Sequence, residues 1–439
     1  MPATSPVINR FATTWRHGRS QRSGTFGRTM ELSLTFLVVF FEVLLLPFAL
    51  LLAWAIYCDL SKSEIPPGID QPMKLRILHW LLILSSAVGK ILENLCLCSE
   101  IDFIRFTQEG KKMGEDPKLT ILDLAFEGTP VRVYQPRGMA GQPKRRGLIY
   151  FHGGGWMFGS INSYDHVCRY MAKESDSVIV SVGYHLAPEQ KYPSQFEECL
   201  STTVHFMRTA EAYGVDPALV ALGGDSVGGN LAASVCQALV TRFDLPKPLA
   251  QVLIYPGLQA INFDLPSYQQ NRAVPILYRE HVVAAALKYL NKDLSVTESV
   301  VQGRHVPSDI RRRFEKWINS ENVPSEFKAR GYQPSSASSF LDNVYEVVKQ
   351  ALETTFSPLL AEEAVIARLP TTCIITCEYD VLRDDGLLYK KRLEDHGVPV
   401  TWFHIENGFH GVINLFDGLL AFPSGKKGLD SIVTFLKSL

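Results

Sequence analysis

The sequence has almost no charge imbalance: 44 lysines and arginines face 45 aspartates and glutamates over 439 residues. That balance removes the electrostatic case for a nucleic-acid partner and implies neither an acidic nor a basic one. Zinc-type spacing is also missing. Cys58, Cys96, Cys98, Cys168, Cys199, Cys236, Cys373 and Cys377 form no C-x-x-C repeat with accompanying histidines, so no metal site is expected. No Asn-x-Ser/Thr acceptor occurs, so ordinary N-glycosylation cannot report on topology. Acidic residues are absent from the first 29 positions, which hold Arg10, Arg16, Arg19, Arg22 and Arg28 among Ser, Thr and Gly. Such a composition builds no core, and 1–29 is expected to be a disordered basic extension.

The next segment is apolar. From Leu32 to Tyr57 nearly every residue is hydrophobic, with Glu42 and Pro47 as interruptions; a bilayer needs about 20 such residues. The run exceeds the ~7 to 15 residues of a signal-peptide core and passes into Trp54, Ile56, Tyr57 and Cys58 rather than a small-x-small cleavage site. Residues 30–58 therefore read as an uncleaved signal anchor, with membrane contact through 32–57. The arginines before the span keep the N-terminus cytosolic and place the rest across the membrane. Met30 stands directly before the span, so the basic extension is equally compatible with upstream initiation.

The chemistry centres on Gly224-Asp225-Ser226-Val227-Gly228-Gly229. An apolar strand-type run, Leu219 to Leu222, precedes it, and Asn230-Leu231-Ala232-Ala233 opens a run of helix formers. Between strand and helix, G-x-S-x-G has a mechanical sense: the glycines allow close approach and the serine is forced outward at the bend. The helix's first N–H groups lack intrahelical partners, so the amide of Val227 is available to an oxyanion. The same letters surround the serine of chymotrypsin-like proteases, where the chain order is His, Asp, Ser.

Further strands are expected at 119–126 and 131–135, as an antiparallel hairpin, then at 148–151, 178–182, 252–255, 373–376 and 400–404, with helical segments at 194–212 and 385–396. Buried-type strands alternating with helices imply a parallel sheet covered on both faces, with ligands at the strands' carboxyl ends. Three motifs stand at such ends. His152-Gly153-Gly154-Gly155-Trp156 follows the 148–151 strand; its glycines can turn N–H groups toward a developing negative charge, and His152 is counted with Gly153, Gly154, Gly155 and Val227 in the expected oxyanion hole. Which pair of glycines does so stays open. Asp380 follows the 373–376 strand and is the chosen orienting acid, with Glu378 as runner-up; Asp384 and Asp385 read as caps or first-turn acids of the next helix. His410 follows the last strand, between two glycines. The order Ser226, Asp380, His410 excludes the chymotrypsin-like alternative.

Taken together with Leu186-Ala187-Pro188-Glu189, Ser357-Pro358-Leu359-Leu360 and Asp380-Val381-Leu382-Arg383-Asp384, these motifs resemble the hormone-sensitive lipase group of α/β-hydrolases. The anchor makes the chain most similar there to the arylacetamide deacetylase family, over about 30–439. The resemblance implies an α/β-hydrolase fold, a mostly parallel central sheet flanked by helices, with a helical cap and one preceding transmembrane helix. It also implies a single-pass type II protein of the endoplasmic reticulum, its catalytic domain lumenal, cleaving ester or amide groups of lipids or small hydrophobic compounds without a cofactor. A lumenal compartment permits disulfides, but the cysteine spacing reveals no pairs.

Within this frame, 119–439 is the expected catalytic domain and about 261–356 its cap insertion, with helical pieces at 280–290 and 342–354. Residues 59–118 form a helical cap or membrane-proximal segment. Its apolar stretch Ile77 to Gly89, broken by His79 and bounded by Arg76, Lys90 and Glu93, reads as too short to span. It is either a helix on the bilayer surface or near the site's mouth, or a buried core helix. Two departures from the group stand out: Gly183-Tyr184-His185 where Tyr-Arg is usual, and Val227 in place of a small residue. They leave room for a second reading, a catalytically weak or inactive protein of this fold that binds a hydrophobic ligand or partner.

Overall fold

Eight strands form one sheet in the order β1-β2-β4-β3-β5-β6-β7-β8: β1 (Leu119–Phe126), β2 (Thr129–Pro136), β3 (Arg145–Phe151), β4 (Val178–Val182), β5 (Val215–Asp225), β6 (Ala250–Ile254), β7 (Thr371–Tyr379) and β8 (Val400–Phe409). β2 pairs antiparallel with both β1 and β4, and every other pairing is parallel. The computed structural model describes residues 39, 42, 45–110, 113–138, 144–334 and 338–439. All eight expected strands are present, several of them longer. The β1–β2 turn is tighter than the four residues expected: Glu127 (φ 50°) and Gly128 (φ 87°) make it alone, as in two-residue hairpins with both central residues left-handed.

The strands alternate between two cores, which is why they read as continuous apolar runs. Ile149 and Phe151 face one layer and Leu148 and Tyr150 the other, as do Val180 and Ile179 on β4. We number the longer helices. α1 is Leu46–Lys62, α2 Pro72–Asn94, α3 Glu100–Gln108, α4 Asp165–Ser175, α5 Ser194–Thr209, α6 Val227–Leu239, α7 Arg279–Tyr289, α8 Ser308–Ile318, α9 Arg383–Asp395 and α10 Pro423–Ser438. α5, α6 and α9 cover the first layer; α4 and α10 cover the second. Between β6 and β7, a long excursion carries α7, α8 and short helices such as Asp342–Val348.

The chain divides into two units, Met1–Ser61 and Lys62–Leu439. The expected extension 1–29 lies outside the described residues, as does most of the first half of the expected anchor. The described part of that anchor is α1, where Phe48, Leu50, Trp54 and Tyr57 are exposed. One expectation needs correcting. The apolar stretch taken as 77–89 and too short to span continues at both ends into α2, a 23-residue helix long and apolar enough to cross a membrane. Arg76, Lys90 and Glu93 do not end it, because flanking charges on a helix project sideways from an unbroken backbone. Leu75, His79 and Gly89 are buried along it.

Two histidines are sealed inside the second unit. His152 is 1% exposed and His305 0%, and burial lowers each to a pKa of about 4. His305 Nε2 donates to the Ala260 carbonyl at 2.7 Å, so protonation would put a charge on a dry Nδ1. A histidine with a depressed folded pKa stabilises above its unfolded value near 6.5, and that contribution is lost as pH falls toward 4. Each is worth on the order of 3 kcal/mol across that window. Denaturant titrations at pH 7.5 and 4.5 should show a large acid loss of stability, and His305→Gln should narrow the gap between the two.

Candidate active site

Four loops meet at the carboxyl ends of β3, β5, β7 and β8. Ser226 sits between β5 and α6 at φ 56° and ψ −121°, a left-handed turn that a residue with a side chain rarely adopts. Its amide donates to the Ile254 carbonyl at 2.8 Å, which ties the turn to β6. The flanking glycines are sterically required. A Cβ on Gly224 would lie 2.4 Å from the Gly228 carbonyl carbon, and one on Gly228 would lie 2.0 Å from the Phe151 oxygen. Gly228→Ala should therefore cost about 3 kcal/mol or more through overpacking, measurable as a shift in the denaturation midpoint.

His410 Nε2 lies 2.9 Å from Ser226 Oγ, and its Nδ1 lies 2.8 Å from Asp380 Oδ2. Asp380 is 1% exposed; its other oxygen accepts the Leu382 amide at 2.9 Å, and Asn271 donates to its carbonyl. The Tyr255 ring packs 4.9 Å from that of His410. Glu378, the alternative acid, is engaged elsewhere. Burial opposes its ionised form, but His404, Arg383 and Arg330 hold its pKa below the ordinary carboxylate value.

The glycine loop is fastened by the residue before the serine. Asp225, 2% exposed, accepts from Tyr150 OH (2.8 Å), the Gly153 amide (2.8 Å) and Tyr164 OH (3.0 Å). Burial pushes this carboxyl up in pKa, against the pull of those three donors. The Gly153 N–H is thus committed within the protein, contrary to the expectation that it faces an oxyanion. Gly154 (φ 115°) and Gly155 (φ 63°) are the glycines that remain. His152 is corrected too: it is not among the residues lining the cavity. Its Nδ1 contacts the Gly153 carbonyl at 2.8 Å, and its ring stacks on Tyr184 at 4.3 Å behind the loop.

Ser226 opens on a cavity of ≈ 730 Å³. Its wall is mainly apolar: Trp156, Met157 and Phe158 beyond the glycine loop, Leu277, Val282 and Ala285 from the excursion between β6 and β7, and Phe356. Val227 also lines it. The surprise is α2, which contributes Leu78, Leu82 and Ser86. Asp384 and Asp385 stand in the first turn of α9, as expected, but neither caps it. Asp384 holds the Ser267 amide and Arg383, while Asp385 holds the Leu258 amide, Gln259 and Tyr268, so both fasten the segment that follows β6. Burial raises Asp385 to about 7. At the departure from Tyr-Arg, Tyr184 donates to the His152 carbonyl and His185 contacts Glu198 at 2.8 Å. Glu189 of the Leu-Ala-Pro-Glu motif still meets a guanidinium, that of Arg105 on α3. Among the described residues the eight cysteines are unpaired.

A family profile described as alpha/beta hydrolase fold matches residues 148–318 and 315–414. The chain is 44% identical over 387 residues to human (Homo sapiens) Arylacetamide deacetylase-like 4, covering 88% of this chain and 95% of that protein. It belongs to the arylacetamide deacetylase family of α/β-hydrolases. Rabbit (Oryctolagus cuniculus) Arylacetamide deacetylase is 39% identical over 390 residues, covering 85% of this chain and 94% of that one. Mouse (Mus musculus) Neutral cholesterol ester hydrolase 1 is 35% identical over 407 residues, covering 90% and 98%. Among solved structures, the thermostable carboxylesterase EstE1 superposes with a TM-score of 0.58 at 25% identity, covering 77% of this chain and 97% of that one. This arylacetamide deacetylase family chain therefore carries the family fold, with the serine, histidine and aspartate at three of its strand ends.

Proposed function

We propose that this chain hydrolyses hydrophobic carboxylic esters through a covalent acyl-serine. The enzyme class is that of the family, carboxylic ester hydrolase. The carrying observation is the hydrogen-bonded series Ser226, His410, Asp380 opening on an apolar cavity. Ser226 Oγ attacks the carbonyl carbon as its proton passes to His410 Nε2, while Asp380 holds the imidazole in orientation and balances its charge. The N–H groups of Gly154, Gly155 and Val227 receive the oxyanion. Collapse expels the alcohol, which takes the proton from His410. Water then enters by the same route in reverse, releasing the acid and restoring the serine. Apart from that water and the ester, every group used in these steps belongs to the chain.

Apolar walls favour substrates that are hydrophobic on both sides of the ester, of the lipid or small-compound kind that the relatives' names describe. In this reading 32–57 anchors the chain with its body on the lumenal side of the endoplasmic reticulum membrane, supported by the arginines ahead of that apolar run. The test is a series of p-nitrophenyl esters with the full chain in microsomes, alongside labelling by a fluorophosphonate. Hydrolysis together with labelling supports the reading; a folded, membrane-inserted protein that does neither overturns it and leaves ligand binding as the account. Val227 sets a further expectation. Val227 lines the cavity beside the nucleophile, so Val227→Ala should raise kcat/KM for branched acyl groups about tenfold, the low end of the roughly 1–3 kcal/mol that a methylene is worth in an apolar pocket. Acetyl esters should change little in the same assay.

A further inference from the structure

α2 has two apolar faces. Leu78, Leu82 and Ser86, spaced four apart, line the cavity that holds Ser226. One position earlier in each turn, Ile77 and Leu81, with Met73 before them, are exposed at 41%, 50% and 60%. Large exposed apolar groups continue at Ile91, Leu95 and Leu97, and on α3 at Phe106, exposed at 78%. At the start of α2, Lys74 Nζ donates to the Ala421 carbonyl, and the loop so joined carries Leu419, exposed at 93%. Surfaces that face water rarely gather this many large apolar side chains.

The helix is long and apolar enough to cross a membrane, yet Leu75, His79 and Gly89 are buried on the body. A helix docked along one side is not surrounded by lipid as a spanning helix is. Its form suits a helix lying in the membrane plane, with its outer stripe among the acyl chains and the exposed Lys90 near its end at the headgroup level. The chain reaches it nine residues (63–71) after α1, the described part of the expected anchor. Across the cavity's lining, α2 meets the cap segment that carries Ile276, Leu277 and Val282. His79 Nε2 and Tyr278 OH, 3.1 Å apart, join the two sides.

We propose that the outer face of α2, continued by Leu95, Leu97 and Phe106, is immersed in a lipid bilayer. Hydrophobic esters pass from the bilayer into the cavity along the seam between α2 and the cap segment. This rests on the ester-hydrolase reading above. Lipid, not a second copy of the chain, is the occupant, because the stripe and the cavity wall are two faces of one helix. Only that helix separates lipid from the space holding the nucleophile, and a protein covering the stripe would close the shortest path for an apolar substrate.

The test uses the full chain in phosphatidylcholine vesicles. Two substrates are compared: a water-soluble acetyl ester and a long-chain ester confined to the same vesicles. Ile77→Gln with Leu81→Gln should leave the soluble ester within twofold of native and slow the bilayer-confined ester tenfold or more. Native fluorophosphonate labelling of the variant verifies its fold. A nitroxide at Leu81→Cys, with Cys58, Cys96 and Cys98 changed to serine, should relax more with oxygen than with an aqueous nickel chelate. Equal effects on the two esters, no effect on either, stronger relaxation by the nickel chelate, or dipolar broadening between labels of paired copies would each overturn the proposal. If the native chain cleaves neither ester and Ser226 takes no label, the hydrolase reading itself fails, a result distinct from any of these.

Discussion

Ser226→Ala should lower ester turnover by at least about 10⁴-fold while leaving the fold and the apolar cavity in place. In the proposed mechanism the serine oxygen forms the acyl-enzyme bond, and His410 contacts that oxygen. The serine's neighbours at the turn are Asp225, whose carboxylate is fully engaged, and Val227, which has no nucleophile. Fluorophosphonate labelling should vanish with turnover. His410→Ala should fall nearly as far, because the serine hydroxyl loses the base 2.9 Å away. Combining the two changes should add little, since residues acting as one unit are not additive. Asp380→Asn is the informative companion. It keeps the shape but sets an amide against His410 Nδ1, favouring the tautomer with its proton on Nε2, which cannot accept from the serine; a loss of about 10⁴-fold is expected. If Ser226→Ala retained labelling at another residue, the nucleophile would lie elsewhere and the assignment would fail. Binding of a hydrophobic product should survive in all three variants, because Ser226, His410 and Asp380 add little to the apolar wall.

Much of this site is legible in the sequence because its parts stand at strand ends. A parallel strand buried on both faces is a continuous apolar run, and the residue just after it faces the sheet's carboxyl edge. Hence the positions of Ser226, Asp380 and His410 can be read from local pattern, although their contacts span 30 and 184 residues. What local pattern does not carry is orientation. Gly153 and Gly154 are alike as letters, and tertiary contacts distinguish them, chiefly the carboxylate of Asp225, brought from β5 to the loop after β3. The charges around Ile77 to Gly89 suggest a short stretch, whereas a helix passes through flanking charges unbroken, and its wall in the cavity is a tertiary fact. Asp384 and Asp385 look like first-turn acids and occupy that turn. Their burial beneath the segment after β6, which turns them into anchors for Ser267 and Leu258, depends on a chain more than a hundred residues upstream.

Asp225→Ala should reduce kcat by about 10² to 10³-fold with KM changed only a few-fold, the size of losing an oxyanion donor. Asp225 borders the cavity, but its carboxylate oxygens are taken by Tyr150, Gly153 and Tyr164. It acts through the loop: its bond to the Gly153 amide fixes the chain direction just before Gly154 and Gly155, the glycines that the proposed mechanism assigns to the developing charge. Alanine leaves Tyr150, Tyr164 and Gly153 without their buried acceptor, and the loop loses its tie to the nucleophile turn. Asparagine separates charge from geometry. Its oxygen can still accept from Gly153 and Tyr150, and its amide can donate to Tyr164 OH, because a hydroxyl can reverse its role while a backbone N–H cannot. Asp225→Asn should therefore recover most of the lost kcat. A trifluoromethyl ketone, which forms the tetrahedral adduct, should weaken in parallel with kcat across the two variants, while a neutral product analogue binds as before. Equal loss in alanine and asparagine would show that the charge, not the positioning of the glycine loop, is what the site requires of this residue. Unchanged adduct affinity in alanine would mean that the loop holds its course without Asp225, through contacts such as the His152 and Tyr184 stack and the bond from the Gly153 amide to Tyr164 OH.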